Sequence, residues 1–472
     1  MIFRQITHDD LGCASYLIGD ESAGVAAVVD PRLDIEEYLR LARYLGVRIE
    51  HVLETHNRAD HVSGHGRLAR ATDATIHVHE LAAAEYEHEP FADGWRLTLG
   101  DVDVEAVHTP GHRPEHTCFL LRDNSRGDEP WAVLTGDSLF VGDVARPDLA
   151  VEPREGATEL YRSLNERLFS LDADVEVWPG HLGGSLCGGS TLDLKSSSTI
   201  GFESEHNRFR QFASGDEFVE DAVSTLGSKP PNVELIVGLN RGPLVQSLST
   251  PAPLGPHAVE EAVAGGAIVV DARTNEQFDE AHIPSAISAS AQDTGFATKV
   301  ARAVPADAEL IVVAASSGYE IEAAELLAAV GLRVIGYLDG GMTAWRVEGR
   351  EVARIEILEP DGLAMRLDGD DPPLVLDVRL PIRRLLPLRV PDFIAQDPVL
   401  SGSVSAVLPG RARSEHSRSP ATGSLAPAHR SVRRGSPVPL AAGRAVPRGT
   451  RRRLSPELAA HRRVHLPAWF SS

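Results

Sequence analysis

The 472-residue sequence predicts an α/β protein: sheets covered by helices at the N-terminus, a second compact α/β domain behind them, and a degenerate C-terminal segment. Three observations predict it. Short β-rich apolar runs are interleaved with stretches of 3.6-residue apolar spacing over residues 1–210. A smaller set of the same kind recurs over residues 256–352. After Arg379 the apolar period stops.

In chain order, SYLIGD, GVAAVVD, RIEHVLETH, ATIHVHE, VDVEAVHTP, TCFLLRD and PWAVLTGD read as strands, and IEEYLRLARYLG and GHGRLARAT as helices. The strands show few hairpin turn signals, which together with the helices between them implies sheets with helices packed on their faces. Residues 211–255 hold a helix-like stretch and then the connectors KPPN and STPAPLGP, a linker pattern. In the second domain, over 256–352, AIVVDAR, ELIVVAA and VIGYLDGG are buried strands. PLVLDVR repeats AIVVDAR and marks the start of a third domain over 356–379. Residues 380–472 are rich in Arg, Pro and Ser and lack the apolar surface to offset chain entropy. The abrupt change after a recognisable strand reads as a reading-frame shift in a GC-rich gene; a disordered Arg-rich tail is the alternative.

Composition excludes several classes. Apolar content of 42% and charged content of 24% are those of a globular protein. The three cysteines, Cys13, Cys118 and Cys187, are widely spaced and odd in number, which argues for a reducing compartment. Neither a secretory signal nor an apolar run of membrane-spanning length is visible, so the expectation is cytoplasmic, with no membrane partner. From residue 380 onward 16 Arg face four acids, whereas the whole chain carries a net charge of −22. The acidic body repels phosphate backbones and excludes nucleic acid as a partner of the folded part.

The chemistry is concentrated in four motifs. ETHNRADHVSGH (54–65) presents His56, Asp60 and His61 after a strand; HTPGH ends at His112, TGD at Asp137 and WPGH at His181. Imidazoles and carboxylates at successive strand-to-loop junctions can converge on a metal such as zinc or iron. His77, His79, His88, His108 and His116 read as strand or loop residues, and Cys13 and Cys118 as buried apolar residues.

These motifs resemble the metallo-β-lactamase superfamily, whose first motif is H-x-H-x-D-H. The resemblance covers about residues 1–210 and implies an αββα sandwich. In two-metal members of that family the motif supplies both metals with ligands. Here Arg58 stands in place of the second histidine of H-x-H, and a guanidinium cannot serve as an ordinary ligand. The resemblance then leaves His56, His112 and Asp137 as metal ligands, the two-histidine, one-carboxylate set of non-haem Fe(II) oxygenases. That set, with TGDSLFVGDVARPDL and PGHLGGSLCGGS, is similar to persulfide dioxygenases fused to rhodanese-like domains.

The resemblance implies one Fe(II) per chain (zinc is the alternative) and oxidation of a low-molecular-weight thiol persulfide by O2 to sulfite, in sulfide detoxification. It makes Asp60, His61 and His181 groups that orient ligands and water, or a second metal site. It makes Arg146 a candidate anchor for the thiol carrier and implies a homo-oligomer. Cys187, six residues after His181, is a candidate sulfur relay, or else a packed loop residue.

DARTNEQFDEAHIPSA (271–286) and YLDGGMTAW (337–345) resemble rhodanese signatures. An active loop has the form C-x-S-G-x-R, in which backbone amides and the Arg activate the thiolate. Here the loop reads ASSGYE: Ala315 occupies the nucleophile position and Glu320 that of the Arg. Sulfur transfer is therefore expected to be absent, and an external sulfurtransferase becomes a candidate partner. Two other readings stand beside the dioxygenase: a dinuclear-zinc thioester hydrolase of the hydroxyacylglutathione hydrolase type, and a non-catalytic sulfur-sensing scaffold.

Overall fold

The computed structural model describes residues 1–182, 195–358 and 360–369. Two six-stranded sheets form its N-terminal part. The first holds β1 (Ile2–His8), β2 (Cys13–Asp20), β3 (Val25–Val29), β4 (Arg48–Leu53), β5 (Thr75–His79) and β6 (Glu89–Phe91), in that order. The second holds β7 (Arg96–Leu99), β8 (Val102–His108), β9 (Thr117–Asp123), β10 (Ala132–Gly136), β11 (Glu176–Pro179) and β12 (Ser198–Thr199).

Period-2 alternation explains why both sheets are buried on two faces. On β3, Ala27 and Val29 enter the core between the sheets, with Tyr16, Phe119 and Leu121. Ala26 and Val28 face the other way, against Tyr38, Ala42 and Leu68 of α1 (Glu36–Leu45) and α2 (His65–Thr72). On β9, Cys118 and Leu120 pack against Ala157 and Leu160 of α3 (Pro153–Ser163). Helices thus cover the outer faces of a two-sheet sandwich, the αββα arrangement. α1 stops where Gly46 takes a left-handed conformation and its N–H closes on the Arg43 carbonyl.

The strands contain more hairpins than their turn signals predict. β1–β2–β3 and β7–β8–β9–β10 run antiparallel, and only β3–β4–β5–β6 and β10–β11 are parallel. Single glycines at positive φ make three of these turns: Gly12, Gly24 and Gly100.

The stretch after the sandwich is more helical than a linker. α4 (Ile200–His206), α5 (Gly215–Ser224) and α6 (Val233–Arg241) precede a parallel five-stranded sheet. Its strands are β13 (Ala252–Leu254), β14 (Ile268–Asp271), β15 (Ile287–Ser288), β16 (Glu309–Val313) and β17 (Arg333–Leu338), in the order β13-β17-β16-β14-β15. Helices α7 (Pro256–Ala264), α8 (Asn275–Glu280), α9 (Phe296–Ala303) and α10 (Tyr319–Ala329) connect them, and α11 (Gly341–Val347) follows the last strand. Asp10, from the turn between β1 and β2, caps α9: its carboxylate accepts from the amides of Phe296 (2.6 Å) and Ala297 (3.3 Å).

Beyond Glu356, where the first unit ends, helix α12 (Pro360–Leu367) is described. The repeat at PLVLDVR and the Arg-rich segment lie outside the described residues, as does Cys187. Among the described residues no helix is long and apolar enough to cross a membrane.

Candidate metal centre

Four strand ends deliver the site. His56 lies three residues after β4, His112 four after β8, Asp137 follows β10 directly, and His181 lies two after β11. β10 and β11 pair in parallel, with Gly136 opposite Pro179, so Asp137 and His181 emerge side by side. The crossing needs glycine. Gly136 has a φ of 48°, and a Cβ there would come within 2.7 Å of Thr55 Oγ1 and 2.8 Å of His116 Nε2.

One donor atom from each of His56, His112 and Asp137 lies within 4.8 Å of the others. His56 Nε2 and His112 Nε2 are 3.7 and 3.6 Å from Asp137 Oδ2. All three atoms are buried and lack a hydrogen-bond partner. Orphaned buried polar atoms are costly unless something else binds them. Ligands about 2.1 Å from a common metal would stand about 3–3.5 Å apart, so the set needs only a small contraction to hold one.

The other ends of these side chains are fixed. His112 donates Nδ1–H to the Arg146 carbonyl at 2.9 Å. His56 donates Nδ1–H to Thr55 Oγ1 (2.9 Å), whose hydroxyl donates to Asp30 Oδ2 (2.8 Å). Each Nδ1 bond selects the tautomer that leaves Nε2 a lone pair. Burial holds both imidazoles below their usual pKa, against the pull of Asp137, and so keeps them neutral. Burial disfavours the Asp137 carboxylate, but the charge and hydrogen bond of His181, with Arg58, outweigh it and keep the acid ionised.

Asp60, His61 and His181 form a second cluster of the same tightness. His181 donates Nδ1–H to Asp137 Oδ1 (2.7 Å) and Nε2–H to Asp60 Oδ2 (2.8 Å). Burial opposes a charge on His181, but Asp137 and Asp60 raise its pKa to about 9. Both its nitrogens are thus engaged by carboxylates, and it links the two clusters. His61 also borders a cleft of about 410 Å³, with His8, Arg32, Asp293, Glu322 and Glu325 on its walls.

Arg58 is 1% exposed and turns towards Asp30, with Nη2 2.9 Å from Oδ2, while Nη1 lies 3.9 Å from Asp137 Oδ1. Its charge is therefore compensated from within.

Arg146, the candidate anchor for the thiol carrier, has its guanidinium engaged within the chain. Its Nε and Nη2 bind Asp148 at 2.7 and 2.9 Å, and Nη1 and Nη2 also donate to the carbonyls of Ser228 and Gly227. Its contribution to the centre is the carbonyl that holds His112.

Four contributors escape the motif reading: Asp30, Thr55, His116 and Asn240. His116 is fully buried, accepts the Asp137 amide on Nε2 (3.0 Å) and donates Nδ1–H to Thr109 Oγ1 (2.9 Å). Burial lowers its pKa to about 3. A carboxylate ending a wholly apolar strand was the available signal for Asp30. His65, which opens α2, bonds Glu54 at 3.0 Å and stays outside both clusters. Cys13 and Cys118 are buried, which pushes each thiol up to about 12 and leaves them unreactive.

Ala315 is exposed at the C-terminal end of β16, in the loop before α10. There the Gly318 amide donates to Glu320 Oε2 at 2.7 Å. The acid in place of the Arg thus occupies one of the loop's own amides.

The metallo-beta-lactamase superfamily model matches residues 8–181, and the rhodanese-like domain model matches residues 256–348. The mitochondrial persulfide dioxygenase of Homo sapiens is 30% identical over 184 residues, covering 38% of this chain and 68% of that protein. The cytoplasmic hydroxyacylglutathione hydrolase of Arabidopsis thaliana is 35% identical over 170 residues, covering 35% of this chain and 62% of that protein. A solved metallo-beta-lactamase from Staphylococcus aureus superposes with a TM-score of 0.65 at 26% identity, over 71% of this chain and 98% of that one. That coverage exceeds what the first 210 residues supply, so the likeness runs on beyond the sandwich.

Proposed function

This chain belongs to the metallo-β-lactamase superfamily, and from that premise we propose that it is a mononuclear non-haem iron persulfide dioxygenase. The observation that carries the reading is the set of three orphaned buried atoms, His56 Nε2, His112 Nε2 and Asp137 Oδ2, beside an arginine where the family motif has its third imidazole. Two imidazoles and one carboxylate are the donor set of Fe(II) oxygenases. Iron held there would supply the redox chemistry through which O2 oxidises a thiol persulfide. The balanced reaction is RSSH + O2 + H2O giving RSH, sulfite and two protons, with the outer sulfur oxidised by four electrons and O2 reduced by four. The chain's own groups hold the ligands in their tautomers through Thr55, Asp30 and the Arg146 carbonyl, while His181 and Asp60 provide proton-holding atoms beside Asp137.

The second reading is a dinuclear thioester hydrolase. The compact Asp60–His61–His181 cluster favours it, as does the likeness to the Arabidopsis hydrolase. Metal content separates the two. Anaerobically purified full-length protein is expected to carry one iron per chain and to consume O2 with glutathione persulfide. Two zinc ions per chain with hydrolysis of an S-acylglutathione would overturn the dioxygenase in favour of the hydrolase. Neither activity would return the scaffold reading. With Ala315 in the nucleophile position, we also take the rhodanese-like domain to be inactive in sulfur transfer, which leaves that step to an external sulfurtransferase.

A further inference from the structure

The segment from Arg58 to Ser63 carries the arginine and two of the three residues of the second cluster, yet belongs to no helix or strand apart from an isolated bridge at Ser63. Its backbone is buried, so its amides and carbonyls need partners. They find them far away in sequence. Asn240, near the end of α6, is 2% exposed. Its Oδ1 accepts the Ser63 amide at 2.8 Å, and its Nδ2 donates to the carbonyls of Arg58 (3.0 Å) and His61 (2.9 Å). Both Nδ2 hydrogens are thereby used. The Val62 amide donates to the carbonyl of Ala329, the last residue of α10, at 2.7 Å.

We propose that Asn240 is a positioning residue of the metal centre: its one amide group sets the path of the 58–63 segment, and with it the placement of Arg58 against Asp30 and of His61 beside Asp60. The centre is therefore completed by a helix outside the sandwich that carries its ligands. The assignment concerns the shape of the loop and holds for iron or zinc alike.

The loop backbone is held at residues 58, 61, 62 and 63, and Asn240 supplies the bonds at 58, 61 and 63. Alanine at 240 leaves two buried carbonyls and one buried amide without partners. Aspartate keeps the acceptor for Ser63 but turns a carboxylate towards the carbonyls of Arg58 and His61. Asn232 is the internal control. It begins the same helix and donates to the Val330 carbonyl at 3.0 Å, without touching the metal loop. Asn232→Gly tolerates its left-handed backbone.

The test uses the full chain, stripped of metal and reloaded with Co(II), read by its visible absorption bands and by the rate of Co(II) loss to a chelator. Asn240→Ala and Asn240→Asp are expected to shift the bands and to speed metal loss roughly 10- to 100-fold. Asn232→Gly is expected to lower the unfolding midpoint with wild-type bands and retention. Should the Ala variant not fold, the isosteric Asp variant carries the test. Wild-type bands and retention in either folded Asn240 variant overturn the proposal, as does an equal change in Asn232→Gly.

Discussion

Arg58 Nη2 stands 2.9 Å from Asp30 Oδ2, and both side chains are about 1% exposed. Asp30 Oδ2 also accepts the Thr55 hydroxyl, which in turn accepts from His56 Nδ1. The arginine at the motif's imidazole position thus pairs with the carboxylate from which the chain of bonds to His56 runs.

Breaking a buried pair from one side strands the remaining charge. Arg58→Ala is expected to lower stability by about 3–5 kcal/mol, read from urea denaturation. The double variant Asp30→Asn/Arg58→Met should recover most of that loss, because a carboxamide oxygen at position 30 can still accept the Thr55 amide, as the carboxylate does now. A loss below about 1 kcal/mol in the single variant would show that the pair does not matter energetically.

Thr55→Val removes the link between His56 and Asp30 and changes little volume. Metal affinity, measured by competition with a chromogenic chelator, is expected to fall roughly 10- to 100-fold. Unchanged affinity would mean that His56 is aimed by its surroundings alone.

At Gly136 the backbone has a φ of 48° and no room for a Cβ. Gly136→Ala is expected to cost about 1–2 kcal/mol in backbone strain alone. Displacement of Thr55 and His116 adds to that, and metal bound per chain should drop. Full metal content in the folded variant would contradict this account of the crossing.

His77, on β5, is packed against His51, with His51 Nδ1 3.0 Å from its Nε2. Burial, and then His51, lower its pKa from 6.5 to about 4. Between those values the unfolded chain takes up a proton that the folded protein does not, so stability falls as pH drops from about 6.5 to about 4. His77→Phe removes this uptake. Its urea midpoint should therefore be flatter than wild type over that window; parallel slopes would exclude His77 as a source of acid sensitivity.

The apolar runs and the four motifs make the sandwich and the two candidate clusters legible, because His56, His112, Asp137 and His181 each come one to four residues after a strand whose pattern is local. Sequence alone determined that His56, His112 and Asp137 are available as donors, that Arg58 is not, and that position 315 has no thiol. Tertiary structure decided the rest: that Arg58 faces Asp30, that the Arg146 carbonyl holds His112 while its guanidinium binds Asp148, that His116 holds the Asp137 amide, and that Asn240 bonds the loop from outside the sandwich. Such partners satisfy buried hydrogen-bonding groups across long sequence separations, 182 residues between Asn240 and Arg58. No local periodicity records which distant side chain will arrive there, because that depends on how the sheets and helices pack.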